Sequence, residues 1–225
     1  MLTVYEGLEQ GSQEWMDARC GLMSASELNL ILSPTLKPSD NAKTRSHVFE
    51  LAAQRITQHV EPTYIGDNHL RGWQDEITAR ELYSQHYAPV TEVGGMCRDF
   101  GGFKLWCSPD GLVGGDGGIE AKSRIQKYQI QTVISQDVPD EHKLQVQACM
   151  LVSGRDWWDY LSYSGGMPLC RIPTKPDARY QDAIIQACES FEAKIKLAME
   201  QYEEQLAKMG KLIHTERTEN VMEVY

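Results

Sequence analysis

With 225 residues, 41% of them hydrophobic and 24% charged, the chain is long enough for one large domain or two small ones and for a sizeable core. No run approaches the roughly 18 apolar residues of a membrane span. A formal net charge of −10 excludes a protein that coats nucleic acid through a basic face, although an enzyme can still grip DNA at one site where metal ions offset the carboxylates. The six cysteines form no Cys-x-x-Cys pair, so they read as buried thiols with neither a zinc site nor an iron-sulfur cluster implied. The opening Met-Leu-Thr-Val-Tyr-Glu-Gly lacks the basic start and apolar stretch of a signal peptide. Both features give the expectation of a cytoplasmic protein.

In chain order, Ser12 is a plausible cap for a short helix that Gly21 stops, and Ser24 can cap a second one with Glu27 at its third position. This places Arg19 near one helix end and Ser26 in the first turn of the next. Free N–H groups and an arginine make a phosphate seat there, while plain capping with Arg19 paired to an acid is the alternative. A loop over 32–44 leads into a helix from Arg45 to Val60. A further helix, capped by Asp67, runs to about Tyr87 and carries Glu76 one turn beyond Gly72, where another chain or a DNA strand can approach closely, a plain surface acid being the alternative. Short β segments follow at 89–93, 96–100 and 103–107 with glycine pairs between them, the pattern of a meander. Beyond the hairpin described next come a short helix and loop within 124–135, then an amphipathic helix over 140–152. Gln145 and Gln147 sit in its apolar centre, where each must bond backbone or face a polar site. Two strands around Gly165-Gly166 and a long helix over 177–209 complete an α/β domain in which a central mixed sheet is flanked by helices. One domain spans 1–210, and the polar tail 211–225 is expected to fray.

The stretch from Ser108 to Lys122 reads Ser-Pro-Asp-Gly-Leu-Val-Gly-Gly-Asp-Gly-Gly-Ile-Glu-Ala-Lys. Trp106-Cys107 with Leu112-Val113 form one arm of a hairpin, Ile119 to Lys122 the other, and four glycines around Asp116 make the turn. Folding back brings Asp110 near Glu120. Residues two apart share a strand face, so Glu120 and Lys122 point one way and Ile119 and Ala121 into packing. Two carboxylates and an ammonium in one small volume suit a divalent metal, since hard Mg²⁺ is held by one or two carboxylates plus waters and phosphate oxygens. The lysine beside a metal-bound water would favour its hydroxide form. Spacing alone is weak evidence, because Asp182, Glu192 and Lys194 repeat it within the last helix. There ten residues rise about 15 Å, so Asp182 and Glu192 cannot share an ion, and the second copy reads as a solvated helix face.

Ser108-Pro-Asp110-Gly followed by Glu120-Ala-Lys122 resembles the core of the Pro-Asp…(Asp/Glu)-x-Lys nucleases, which have a restriction-endonuclease-like fold. Gln10-Gly-Ser-x-x-Trp15, Arg19-x-Gly21, Ser24-Ala-Ser26-Glu27, Gly72 with Glu76, and Leu144-Gln145-Val146-Gln147 occur around it in order. The ordered set resembles the phage lambda exonuclease and YqaJ-type viral recombinase family, which includes bacterial alkaline exonucleases. The resemblance implies that Asp110, Glu120, the Ala121 carbonyl and Glu76 hold two Mg²⁺, with Mn²⁺ able to substitute. Lys122 would position and activate the attacking water, and Arg19, Ser26, Ser108 and Gln145 would hold a 5′-phosphate. It further implies a 5′→3′ exonuclease that digests one strand of linear double-stranded DNA from its ends and leaves 3′ overhangs for homologous recombination by single-strand annealing. A homotrimeric ring, a single-strand annealing protein as partner and a bacterial or phage origin belong to the same expectation. The family usually has Trp-Gly before the helix glutamate, whereas Arg71-Gly72-Trp73 stands here, and no apolar strand-separating residue is clear among His69, Leu70 and Arg71. The alternatives are another nuclease on the same core, such as an endonuclease or repair enzyme, and a noncatalytic acidic DNA mimic or metal-binding protein.

Overall fold

The computed structural model describes residues 1–61 and 67–217, the side chains of residues 67–69 excepted. The cap expected at Asp67, His69 and the tail beyond residue 217 lie outside these. Among the described residues nine strands form two sheets, both mixed. The first has four strands in the order β1 (Leu2–Tyr5), β4 (Gly95–Asp99), β5 (Lys104–Cys107) and β2 (Met23–Ser24), with β2 parallel to β5. The second has five, β3 (Val90–Thr91), β6 (Gly111–Val113), β7 (Gly117–Ser123), β8 (Trp157–Tyr163) and β9 (Cys170–Thr174). Only β7 and β8 run parallel in it. That pairing needs a crossover, supplied by α4 (Gln126–Ser135) and α5 (Asp140–Ser153).

The expected meander is therefore corrected. Strand β3 skips β4 to pair with β6, and β5 does not pair with β6. Trp106-Cys107 thus belong to the first sheet and Leu112-Val113 to the second. The link Ser108-Pro109-Asp110 crosses between them, and Pro109 has no N–H to continue a ladder. The hairpin itself forms, with Val113 opposite Gly117 and Gly111 opposite Ile119. Of its four glycines only Gly114 takes a positive φ, 54°. Gly117 and Gly118 face the rings of Trp157 and Trp158 on β8, where any Cβ would collide, so packing and not the turn demands them.

Helix α1 (Gln13–Arg19) begins where Ser12 Oγ accepts from the Trp15 N–H and ends before Gly21, φ 68°. Ser24 precedes a six-residue 3₁₀ helix, Ala25–Leu30, but its hydroxyl donates to Glu27 Oε2 at 2.6 Å and caps no backbone N–H, a correction to the expected cap. α2 (Ala42–Thr57) starts three residues earlier than expected because Asn41 and Thr44 form a reciprocal capping box. α3 (Asp67–His86) lies across β7 and β8, its Ala79 and Tyr83 packed with Val113, Ile119, Ala121 and Leu161. The larger core gathers the 3₁₀ helix, α2, α5, the first sheet and the inner face of α6 (Ala178–Lys208). Among the described residues no helix is long and apolar enough to cross a membrane, and all six cysteines are free.

Candidate active site

The site lies where the chain passes from one sheet to the other. Asp110 Oδ2 accepts from the Ala121 N–H at 2.6 Å, which ties the sheet-crossing link to β7 between Glu120 and Lys122. On β7 the alternation is as expected: Ile119 and Ala121 are fully buried under α3, and Glu120 and Lys122 share the other face. Lys122 Nζ is 2.5 Å from Glu120 Oε1 and 4.0 Å from Glu76 Oε1 on α3. Asp75, beside Glu76, accepts from Ser123 Oγ at 2.5 Å, so α3 is clasped to β7 next to its own acid. The two glutamines of α5 divide as the chemistry requires. Gln147 bonds backbone at Lys175 and Asp177, while Gln145 donates to Glu120 Oε1 at 2.5 Å.

The second group of expected residues meets the first across a cavity of about 180 Å³. Arg19, Ser26, Ser108 and Gln145 line it together with Glu76, Asp110, Glu120 and Lys122, so every side chain assigned from the sequence opens on one space. Ser108 Oγ accepts from two indoles, Trp106 Nε1 at 2.8 Å and Trp15 Nε1 at 3.2 Å. With both lone pairs engaged, its proton is left to donate to an anion. The Arg19 guanidinium stacks on Trp15, 4.6 Å from the ring centroid, and stands 3.5 Å from Glu27, so Arg19 both lines the cavity and has the acid partner that the capping alternative expected.

Four supporting residues carried no role at the level of sequence. Trp15 and Trp106 orient Ser108. Gln10 binds the carbonyls of Val93 and Pro109, at 3.2 and 3.1 Å, and fixes the turn ahead of Asp110. Arg80, one turn after Glu76, donates to the Asp110 carbonyl and pairs with Glu92. Gln10 and Trp15 stood in a motif of the resemblance and Arg80 lies one helical turn from Glu76, but nothing in the sequence pointed to the bonds they make.

Electrostatically the site holds three carboxyls around one ammonium. Burial pushes Glu120 up to about 8 against the pull of Lys122. Burial and then Asp110 raise Glu76 to about 7, and burial raises Asp110 as well. Burial works against the charge of Lys122, but Glu120, Asp110 and Glu76 outweigh it and hold the ammonium well above its usual range. Three carboxyls crowded into one buried volume are a donor set that suits a divalent cation. Glu120 Oε2 is buried with no hydrogen-bond partner, an orphan that a cation or its water would satisfy. Among the described residues no group of three or more His, Cys, Asp or Glu forms a closed cage. Hard oxygens from one or two carboxylates nevertheless suit Mg²⁺, which keeps most of its waters.

The repeated pattern on α6 has a different outcome, and part of its reading is corrected. Asp182 is exposed, but Glu192 is 7% exposed and takes both guanidinium nitrogens of Arg55 at 2.8 Å. It is a buried ion pair between α6 and α2 and not a solvated face.

The profile of the YqaJ-like viral recombinase domain matches residues 14–156. The structure is similar to that of an alkaline exonuclease (LHK-Exo) from Laribacter hongkongensis, 28% identical over 88% of this chain and 99% of that one, with a TM-score of 0.77. LHK-Exo in complex with dAMP is similar at a TM-score of 0.76, again with 28% identity, 88% of this chain and 99% of that one. A phage related exonuclease from Haemophilus somnus 129PT shares the fold at 13% identity, over 80% of this chain and 96% of that one, with a TM-score of 0.59. A search of curated protein sequences finds no match. With Pro109-Asp110, Glu120-Ala-Lys122 and the flanking motifs converging on one cavity, the chain belongs to the YqaJ-like viral recombinase family, the lambda-exonuclease and alkaline-exonuclease group of DNA exonucleases.

Proposed function

We propose that this protein is a Mg²⁺-dependent exonuclease that digests one strand of linear double-stranded DNA in the 5′→3′ direction, leaving 3′ overhangs for recombination by single-strand annealing. The observation that carries this reading is the shared cavity, with metal-type carboxylates and Lys122 on one side and the anion donors Ser108 and Arg19 on the other. A cavity of about 180 Å³ has room for a phosphate group, which supports a terminal 5′-phosphate as its occupant. That LHK-Exo has been crystallised with dAMP, a mononucleotide, accords with release of single nucleotides.

In this reading Arg19, Ser26, Ser108 and Gln145 hold the 5′-phosphate, which places the first internucleotide bond over β7. Asp110, Glu120, the Ala121 carbonyl and Glu76 would hold two Mg²⁺, or Mn²⁺ in their place. Bound there, the cations supply Lewis-acid stabilisation of the attacking and leaving oxygens of an in-line displacement. Lys122 keeps its proton among three carboxyls, so it acts through charge, orienting the water and favouring its hydroxide form. The water oxygen forms a bond to phosphorus, the bond to the 3′ oxygen breaks, and one mononucleotide leaves.

The enzyme acts as one nuclease domain over residues 1–210, in a bacterial or phage-infected cytoplasm, as a homotrimeric ring beside an annealing protein. A meeting of copies is supported by α4, which buries Gln129 and Thr132 while exposing Ile130, Val133 and Ile134, with Ile125 exposed just before it. Such a face is solvated at a cost in a lone subunit. Sedimentation of the wild type and of Ile134→Glu tests this: a trimer that the substitution dissociates is expected.

The experiment on activity uses linear duplex labelled at either end, bearing a 5′-phosphate or 5′-hydroxyl, with Mg²⁺ or EDTA. Loss of the 5′ label first, requiring Mg²⁺ and faster on the phosphate, is expected. Cutting of closed circles would point to an endonuclease, and digestion indifferent to the 5′ group would remove the phosphate pocket.

A further inference from the structure

A second row of polar residues stands directly beside the catalytic carboxylate. The parallel register of β7 and β8 sets Tyr160 opposite Glu120, on a neighbouring strand about 4.8 Å away and on the same sheet face. Helix α5 covers both. Its Gln145 bonds Glu120, and His142, one turn earlier, lays its ring on Tyr160 with centroids 5.6 Å apart and planes at 24°. His142 Nε2 in turn accepts from Arg124, which follows the end of β7 and pairs with Glu141.

This arrangement is closely packed, yet three polar atoms in it have no partner: Tyr160 Oη, Glu120 Oε2 and Arg124 Nε. Tyr160 is 0% exposed. A buried phenol without a hydrogen bond costs free energy that a phenylalanine would not, so packing alone does not account for a tyrosine here. Two orphan oxygens lie on register partners that face the same helix and are not bonded to each other, so a water bridging them would satisfy both. The phenol stays neutral, since burial first, and then the charges of Glu120 and Glu141, hold its proton on against Arg124 and Lys122. A neutral hydroxyl can both accept from and donate to such a water.

We propose that Tyr160 is a positioning residue of the metal centre, its hydroxyl holding a water of the divalent cation's hydration shell beside the free oxygen of Glu120. The proposal rests on the metal-dependent reading above. Mg²⁺ is bound by few protein ligands and keeps several waters, so groups that fix those waters contribute to its affinity and placement. Gln145 would fix one oxygen of Glu120, and Tyr160 the surroundings of the other.

The test is Tyr160→Phe in the full chain, with Glu120→Gln as the reference for loss of the site. Binding of Mn²⁺ alone to the metal-depleted proteins is measured by calorimetry, alongside thermal melting without metal and digestion over a range of Mg²⁺. Tyr160→Phe is expected to melt at the same or a higher temperature without metal, to bind Mn²⁺ about five- to tenfold more weakly, and to need correspondingly more Mg²⁺ for half-maximal rate. Saturating Mg²⁺ is expected to restore most of that rate. Unchanged Mn²⁺ affinity would overturn the proposal, and a lowered melting temperature with unchanged affinity would show a purely structural tyrosine. If the wild type binds Mn²⁺ no better than Glu120→Gln, the metal reading itself falls, and the role of Tyr160 with it.

Discussion

Glu120 and Glu192 make an instructive pair. Each stands in a Glu-Ala-Lys tripeptide ten residues after an aspartate, and each is buried beside a cation. Arg55 takes both oxygens of Glu192 in a bidentate fork, which leaves little capacity for anything else. Around Glu120 the two available donors, Lys122 and Gln145, both go to Oε1, and Oε2 remains free. A structural ion pair uses its lone pairs within the fold, and a reactive one keeps some for a ligand. The backbone decides which arises: the β6–β7 hairpin returns Asp110 to within a hydrogen bond of β7, whereas α6 carries Asp182 about 15 Å away from Glu192.

Exchanging the charges should separate the two sites most sharply in activity. Lys122→Ala is expected to lower the rate of digestion by about a hundred- to thousandfold while the protein stays folded, the size of effect seen when one electrostatic stabiliser is lost. Lys194→Ala should leave the rate unchanged. A fully active Lys122→Ala enzyme would remove the proposed role of that ammonium.

Stability should show the reverse ranking. Glu192→Gln leaves the guanidinium of Arg55 without its counter-charge and is expected to cost about 3 kcal/mol in denaturant unfolding, with the rate per folded molecule unchanged. Glu120→Gln is expected to abolish digestion, yet without metal and above about pH 8 it should melt at the same or a higher temperature, because there it removes a buried carboxylate that burial disfavours. Equal melting shifts for the two would erase the distinction.

The same distinction appears in pH. Glu76 and Glu120 are raised to about 7 and about 8, above their unfolded values, so the folded chain holds protons that the unfolded chain has released. Their contribution to stability is complete below the unfolded range of about 4.5 and is lost as pH rises through 7 and 8. Melting of the metal-free protein should therefore fall over that window, and Mg²⁺ should offset the fall. At limiting Mg²⁺ the rate should rise over the same window as the carboxyls ionise, and Glu76→Gln should remove the lower step. A rate flat from pH 6 to 9 at limiting metal would contradict the crowded carboxyls.

The smallest effect concerns the hairpin that makes the difference. Gly118→Ala sets a methyl against Trp158 and is expected to destabilise by about 1–3 kcal/mol. Gly115→Ala meets nothing within 4 Å and should be nearly silent. Equal costs would return the glycines to a common turn role.

Much of this was open to reading in the chain itself. Strong local signals, namely the capping of α1 by Ser12, the spans of α3, α5 and α6, the β6–β7 hairpin and the alternation of Ile119, Glu120, Ala121 and Lys122, rest on interactions between residues a few positions apart. Periodicity and turn chemistry encode those directly. The ordered motifs added the family and the membership of the site, because each short motif ends at the cavity. Tertiary structure alone decided the rest: the split of the strands between two sheets, the indoles of Trp15 and Trp106 on Ser108, the clasp of Asp75 to Ser123, the burial of Glu192 against Arg55, and the place of Tyr160 beside Glu120. Those contacts join residues from 40 to 137 positions apart, except the local bond from Trp106 to Ser108. No periodicity reaches so far, and the partner of a buried polar group is chosen only when the chain has closed around it.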